Sequence, residues 1–391
     1  MSGMLDGVRV LELTTMITGP LAGMLLADLG AAVIKIENRE GGDPFRYFRG
    51  DLYGSHFIAY NRNKRSLTLD LRSPKGKEIL LELVRRTDVL IDNFRPGVLA
   101  RLGFPDGVLR ETNPRLIHAS ITGFGPDGPY KDRPSYDAVA QSLSGVLSQF
   151  VEPENPRVGG PTLSDNVSGF YAAYGILGAL YERERTGKGR RIETSMLEAT
   201  IAFAPDAFIS HKRYGTKVGP LTRVSASQSY ALRCSDGRLI AIHLSSQLKF
   251  WEGLLAAIER TDLATEPEFD TREKRIANYK ALYAELAKTF AAKPRAEWAQ
   301  RLEAQDVPYA PVHNVEEVIE DPQVKHLGTF YQIQHPQQGE VWGVYPPVRI
   351  DGERPATMTP PPVLGENVDE ILAELGFGAE QCAELRANKV V

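Results

Sequence analysis

Two kinds of apolar run alternate along the first half of the chain. Short β-branched or alternating runs, VRVLELT (8–14), AVIKIE (32–37), DVLIDNF (88–94) and RLIHASITGF (115–124), read as strands. Between them, GPLAGMLLADLGA (19–31) and GKEILLELVRRT (76–87) repeat their apolar residues at helical spacing. Strands that alternate with helices predict a parallel sheet with helices on both faces.

Further along, residues 165–185 and 194–204 read as helices, separated by TGKGRRIE (186–193), a Gly-rich turn that enters a short strand. The style changes after a polar stretch near 211–227. SYALRCSDGRLIAIHL (229–244) reads as a hairpin about Asp236-Gly237, and amphipathic helices follow at 249–260 and 278–292. Pro-rich segments at 307–312 and 355–362 lead to a last helix at 368–376. Since 391 residues exceed the usual size of one hydrophobic core, two domains are expected. They are a large α/β domain over 1–210 and a smaller α+β domain over 225–325.

Composition narrows the function. A formal net charge of -4 gives no global basic field to attract nucleic acid, so any anion site must be local. The N-terminus lacks a basic head before a long apolar run, and no apolar window reaches the length of a membrane span. Cys234 and Cys382 are too few for a disulfide framework or a thiolate zinc site. These features predict a soluble cytoplasmic protein with no nucleic-acid or membrane partner. The seven histidines show no metal-ligand spacing, and no metal is expected.

Among motifs, GFGPDG (123–128) matches G-x-G-x-x-G, but Pro126 and Pro129 interrupt it and no apolar helix follows to hold a pyrophosphate. Neither a G-x-S-x-G elbow nor a P-loop lysine is present. NRNKRSLTLDLRS (61–73) carries Arg62, Lys64, Arg65 and Arg72, either as a solvated strand edge or as a phosphate grip built from charge-assisted hydrogen bonds. DNFRPGVLARLG (92–103) adds Arg95 and Arg101 after a strand end, where ligands bind in open α/β sheets. Asp165 opens a long apolar helix. It suits a helix cap, as does Ser164, and beside small residues such as Gly169 a carboxylate there can equally meet a ligand as a nucleophile.

Taken together, GPLAGMLLADLGAAVIKIE, NRNKRSLTLDL, DNFRPGVLARLG, SITGFGPDGPYKDRPSYD, GILGALYERERTGKGRRIETSMLEA, VPYAPVHNVEEVIEDPQV and LGENVDEILAELG resemble the class III CoA-transferases. That family includes formyl-CoA transferase, carnitine CoA-transferase and alpha-methylacyl-CoA racemase. The resemblance implies a Rossmann-like large domain with a parallel sheet plus a smaller α+β domain, the segment 326–391 returning to the large domain, and two chains interlocked as a homodimer. It places the family's nucleophile at Asp165. It implies that coenzyme A, as acyl-CoA substrate and product, is held by Ile17, Thr18, Arg39, Leu69, Arg72, Asn93, Phe94 and Arg101, with Arg133 a further candidate.

The implied reaction moves CoA from a donor acyl-CoA, such as succinyl-CoA or acetyl-CoA, to an acceptor carboxylic acid through aspartyl anhydride and aspartyl-CoA thioester intermediates. The alternative is an acyl-CoA racemase or epimerase acting by α-proton exchange. Racemase members place a histidine where this chain has Tyr136, and a phenol is a weak acid near neutral pH, which favours transfer. The Gly-rich loop of formyl-CoA transferase has no counterpart in LTRVSASQSY (221–230). Gln228, His243 and Arg223 are candidates to line an acyl pocket or bind a second carboxylate.

Overall fold

The computed structural model describes residues 3–48, 50, 52–354 and 358–391. Part of the Pro-rich segment 355–362 therefore lies outside the described residues. The chain forms two compact units. The larger comprises the chain through Leu147, Val158–Asp206 and Thr329–Val391, and the smaller comprises Ser148–Arg157 and Ala207–Gly328.

The larger unit is built on six parallel strands: β1 (Arg9–Leu13), β2 (Ala32–Glu37), β3 (Lys64–Thr68), β4 (Val89–Asp92), β5 (Ile117–Thr122) and β6 (Arg191–Ser195). Their order is β3-β2-β1-β4-β5-β6, so the winding reverses between β1 and β4. Open α/β sheets bind ligands beyond the carboxyl ends of their strands at such a reversal. Its first eight helices are α1 (Thr18–Asp28), α2 (Ser55–Tyr60), α3 (Pro74–Arg85), α4 (Val98–Arg101), α5 (Asp106–Thr112), α6 (Asp137–Leu143), α7 (Leu163–Thr186) and α8 (Met196–Phe203).

Strand alternation sorts the core onto two faces. Leu11, Leu13 and Leu90 pack with Ile79, Leu80 and Leu83 of α3 and with Ile371 and Leu372 of the last part of the chain. Val10, Val89 and Ile117 pack on the other face with Leu26 of α1 and Ala172, Ile176 and Leu180 of α7. Ser73 caps α3 by accepting the Gly76 N–H, with Pro74 in the first turn, and Gly187 closes α7 at φ 68°. The C-terminal segment belongs to this unit: Asn367 N–H donates to Ser66 O, and Asp70 N–H to Val390 O.

Under α1 lies a buried charge cluster. Glu12 accepts from Lys35 at 2.9 Å and pairs with Lys64 at 2.8 Å, while Lys35 also meets Asp43 at 3.0 Å. Alpha-carbon hydrogens are all that fits above it, because a Cβ at Gly23 would stand 2.0 Å from Glu12 Oε2. Beside it Arg46 grips Glu37, and Arg62 Nε donates to Asp28 at 2.8 Å. Arg65 pairs with Glu370 and Glu374. Three of the four cations of segment 61–73 are thus committed to scaffold carboxylates rather than free for a phosphate, and the segment is the edge strand β3.

In the smaller unit, β7 (Ser229–Arg233) and β8 (Leu239–His243) form the expected hairpin, and β9 (Tyr309–Pro311) joins β8 antiparallel. The stretch that reads as polar contains helices at Pro205–Tyr214 and Thr222–Ser227. An antiparallel hairpin of β10 (Phe330–His335) and β11 (Gly339–Val344) lies in the larger unit where the sequence analysis places no element; in β10 the exposed Gln332 and Gln334 alternate with the less exposed Tyr331, Ile333 and His335. Among the described residues no helix is long and apolar enough to cross a membrane.

Candidate active site

The first turn of α7 carries Asp165, and the cap of that helix comes from elsewhere. Thr162 stands at the N-cap without a side-chain cap bond. Asp137, first residue of α6, instead accepts the N–H groups of Ser164 at 2.8 Å and Asp165 at 3.4 Å. Its other oxygen accepts from Gln141 Nε2 at 2.6 Å. With the helix end satisfied by Asp137, the Asp165 carboxylate makes no hydrogen bond or ion pair among the described residues. Burial first, and the Asp137 charge second, push its pKa up to about 7.

Asp165 opens into a cavity of about 220 Å³. Ile17, Thr18, Asn93, Phe94, Arg133 and Tyr136 share that lining, together with Arg95 and Lys131. A second cavity, about 390 Å³, is lined by Arg39, Leu69, Arg72 and again Phe94. Thr15 and Phe94 border both, so the two lie side by side along the carboxyl ends of the strands.

The loop between β1 and α1 is held from two sides. Asn93 accepts the Thr15 N–H at 3.1 Å and donates to Thr15 O at 2.8 Å and Thr18 Oγ1 at 3.1 Å. Asp43 accepts the Met16 N–H, which fixes Met16 at φ 68° in the left-handed region. Gly169 lets α7 approach this loop, since a Cβ there would lie 2.7 Å from Thr18 O.

Of the residues expected at the site, Arg101 lines neither cavity: its exposed guanidinium turns back beside Gly97. Arg39 is partly committed, donating to Val391 O and Lys389 O at 3.1 Å. By contrast Arg72, Arg95, Lys131 and Arg133 have no carboxylate partner among the described residues, though Arg133 stacks on Tyr130 with its guanidinium carbon 3.8 Å from the ring centroid. Four unpaired cations around two adjacent cavities suit a polyanionic ligand. His243, Gln228 and Arg223 belong to the smaller unit, where His243 bonds Ser229 Oγ at 2.9 Å and Gln228 accepts from Arg275. Sequence reasoning missed Asp137 and Lys131. The adjacent acid in SYD was the available signal for the first. Among the described residues no group of three or more His, Cys, Asp or Glu could hold a metal ion.

A doubly wound sheet with an unpaired carboxylate and free cations at its carboxyl edge defines an α/β protein built to meet an anionic ligand. The chain belongs to CoA-transferase family III, whose model matches residues 5–368. Over the full length of both chains it is 34% identical to a formyl-CoA:oxalate CoA-transferase of Streptomyces avermitilis. It is 34% identical to one of Rhodopseudomonas palustris, covering 98% of this chain and 96% of the relative. The crystal structure of a CaiB/BaiF family protein from Brucella suis matches with a TM-score of 0.85 at 33% identity, covering 96% of this chain and all of that one.

Proposed function

We propose that the protein is an acyl-CoA:carboxylate CoA-transferase with Asp165 as the covalent nucleophile. The observation that carries this reading is the state of that carboxylate: half-buried, unbonded, facing a cavity and relieved of capping by Asp137. A raised pKa also makes a carboxylate more basic and so more nucleophilic once ionised.

An ionised Asp165 oxygen attacks the donor thioester carbonyl, the C–S bond breaks, and a mixed anhydride and CoA thiolate form. The thiolate attacks the aspartyl carbonyl and the donor acid leaves as its carboxylate. Aspartyl-CoA thioester remains. The acceptor carboxylate then attacks it, and the returning thiolate attacks the acyl carbonyl of the new anhydride. New acyl-CoA leaves and Asp165 is restored. No ATP is needed, because each thioester bond broken is replaced. Water must be kept from both anhydrides.

CoA is the substrate here, and the residues present fit it. Arg72, Arg95, Lys131 and Arg133 supply cations for its phosphates, Ile17, Thr18, Asn93 and Phe94 line its path to Asp165, and Arg39 and Leu69 border the larger cavity. An interlocked homodimer completes the reading. It is supported by an exposed stripe on α7, Phe170, Tyr174, Leu177 and Tyr181, of which Tyr174 is 75% exposed. A reducing cytoplasm suits the buried, unpaired Cys234 and Cys382.

The names of the relatives make formyl-CoA with oxalate the first pair to test, then succinyl-CoA and acetyl-CoA as donors. The protein is incubated with each donor, trapped with hydroxylamine or borohydride, and its Asp165 peptide is read by mass spectrometry. Modification of that peptide is the expected result. An unmodified peptide with every donor, alongside α-deuterium exchange into acyl-CoA, would replace this reading with the racemase.

A further inference from the structure

Residues 389–391 meet a cation that the CoA reading uses, and a strained turn sets up the contact. After the helix Ala379–Ala387, Lys389 adopts φ 57°, in the left-handed region that favours glycine. Its N–H donates to Arg386 O at 3.0 Å, and the Val390 N–H reaches back to Leu385 O at 2.8 Å, which together close the helix as a Schellman motif. Val390 and Leu385 lie in one apolar cluster, the contact that accompanies this motif, and Val391 joins them there. Turn and cluster together fix the direction of the tail.

So directed, the tail joins two loops at the carboxyl edge of the sheet. Val390 O accepts the Asp70 N–H at 2.8 Å, just beyond β3. Val391 O and Lys389 O accept from Nε and Nη1 of Arg39, just beyond β2, at 3.1 Å each. Arg39 and Asp70 both border the cavity of about 390 Å³, as do Ile36 and Leu69 of the same apolar cluster. A long side chain that must be ordered on binding costs rotamer freedom, and one already held in place does not. The tail holds Arg39 without exhausting it: a guanidinium has five N–H donors, so with two engaged three remain for a ligand.

We propose that Lys389–Val391 is a positioning element for acyl-CoA, its main-chain oxygens fixing the Arg39 guanidinium at the larger cavity so that its remaining donors meet a CoA phosphate. The inference rests on the reading that this cavity binds CoA. Lys389 contributes through its backbone: its exposed side chain is dispensable, and its left-handed turn is not.

Calorimetric titration of free CoA into the full chain tests this. Lys389→Gly and Lys389→Pro remove the same side-chain charge, but glycine keeps the left-handed turn and proline, locked near about −65°, forbids it. Lys389→Gly is expected to bind CoA within about twofold of the wild type, and Lys389→Pro about tenfold more weakly. In an Arg39→Ala background Lys389→Pro is expected to add less than about twofold, because the tail acts through that guanidinium. An equal loss in both backgrounds means general damage to the core and overturns the proposal. An affinity gain also overturns it, since the tail then masks Arg39. Should Lys389→Pro fail to fold, the crystal structure of the wild type with CoA decides: Arg39 is expected to hold a phosphate oxygen while still bonded to Lys389 O and Val391 O, and an Arg39 that has left the tail overturns the proposal. Failure of the wild type to bind CoA at all would sink the CoA-site reading itself, whereas binding that Lys389→Pro leaves unchanged sinks only this inference.

Discussion

Two groups of charges in the larger unit are arranged in opposite ways. Under α1, Lys35, Lys64, Arg46 and Arg62 each face a carboxylate of the scaffold, and burial is tolerated because every charge is matched. Around the two cavities, Arg72, Arg95, Lys131 and Arg133 face none among the described residues, and Asp165 sits near a second carboxylate. The acids respond accordingly. Burial drives both Glu12 and Asp165 toward the neutral form, but Lys35 and Lys64 bring Glu12 below the ordinary range, while Asp137 adds to burial at Asp165. A charge the fold balances internally is scaffold; one left unbalanced is available to a ligand.

Removing the proposed nucleophile tests the comparison hardest. Asp165→Asn should cut CoA transfer by about 10⁴-fold or more, read as initial rate with the acid pair that the trapping experiment identifies. The same change should stabilise the protein. Between 3.8 and about 7 the folded carboxyl holds a proton that the unfolded one has lost, so stability falls as pH rises through that window. The full shift corresponds to a ceiling of about 4 kcal/mol, and partial exposure lowers the expected gain to about 2 kcal/mol at pH 8. Melting of both proteins at about pH 4 should show little difference. A variant less stable than wild type at pH 8 would show that Asp165 is a structural acid after all.

The matched cluster should behave in the opposite sense. Lys64→Ala leaves Glu12 buried with one cation fewer and should cost about 3–5 kcal/mol, measured by denaturant unfolding. Burial lowers the pKa of Lys64 to about 8, with Glu12 opposing and Lys35 adding, so part of its pairing is already lost in mildly alkaline solution. Arg95→Ala and Arg133→Ala, by contrast, should move stability by less than about 0.5 kcal/mol. Each should raise KM for acyl-CoA about tenfold, as expected for loss of a charge-assisted phosphate contact. Equal stability losses in the two groups would dissolve the distinction.

How much of this was legible in the sequence follows from the range of each interaction. Strands β1, β2, β4 and β5, with α1, α3 and α7, carry their periodicity locally and lie within a few residues of where it predicts them. Asp165 was visible as a helix-start acid with two roles open. What decides between them is Asp137, 28 residues earlier, which takes over the cap. Likewise, the fate of Lys64 depends on Glu12 two strands away in the sheet, a pairing that no local spacing encodes. Arg101 follows the same turn as Arg95, yet α4 carries it past both cavities.

Asp137→Asn is the finest test, because it alters a charge and little else. Asparagine keeps an oxygen to accept the Ser164 N–H, and a turn of the Gln141 amide can present its oxygen to the new NH2, so the start of α7 should hold and stability should change by about 1 kcal/mol or less. What disappears is the like charge that adds to burial in raising Asp165. As the proposed nucleophile, Asp165 must be ionised to attack, so wild-type kcat/KM should climb with pH and level off above about 7. In the variant that rise should move to lower pH, with the plateau rate reduced because a less basic carboxylate is a weaker nucleophile. Burial is the larger cause and remains, so the limb should stay above the 3.8 of an ordinary aspartate. A limb that does not move would mean that Asp137 serves α7 only as its cap, and that burial alone poises Asp165.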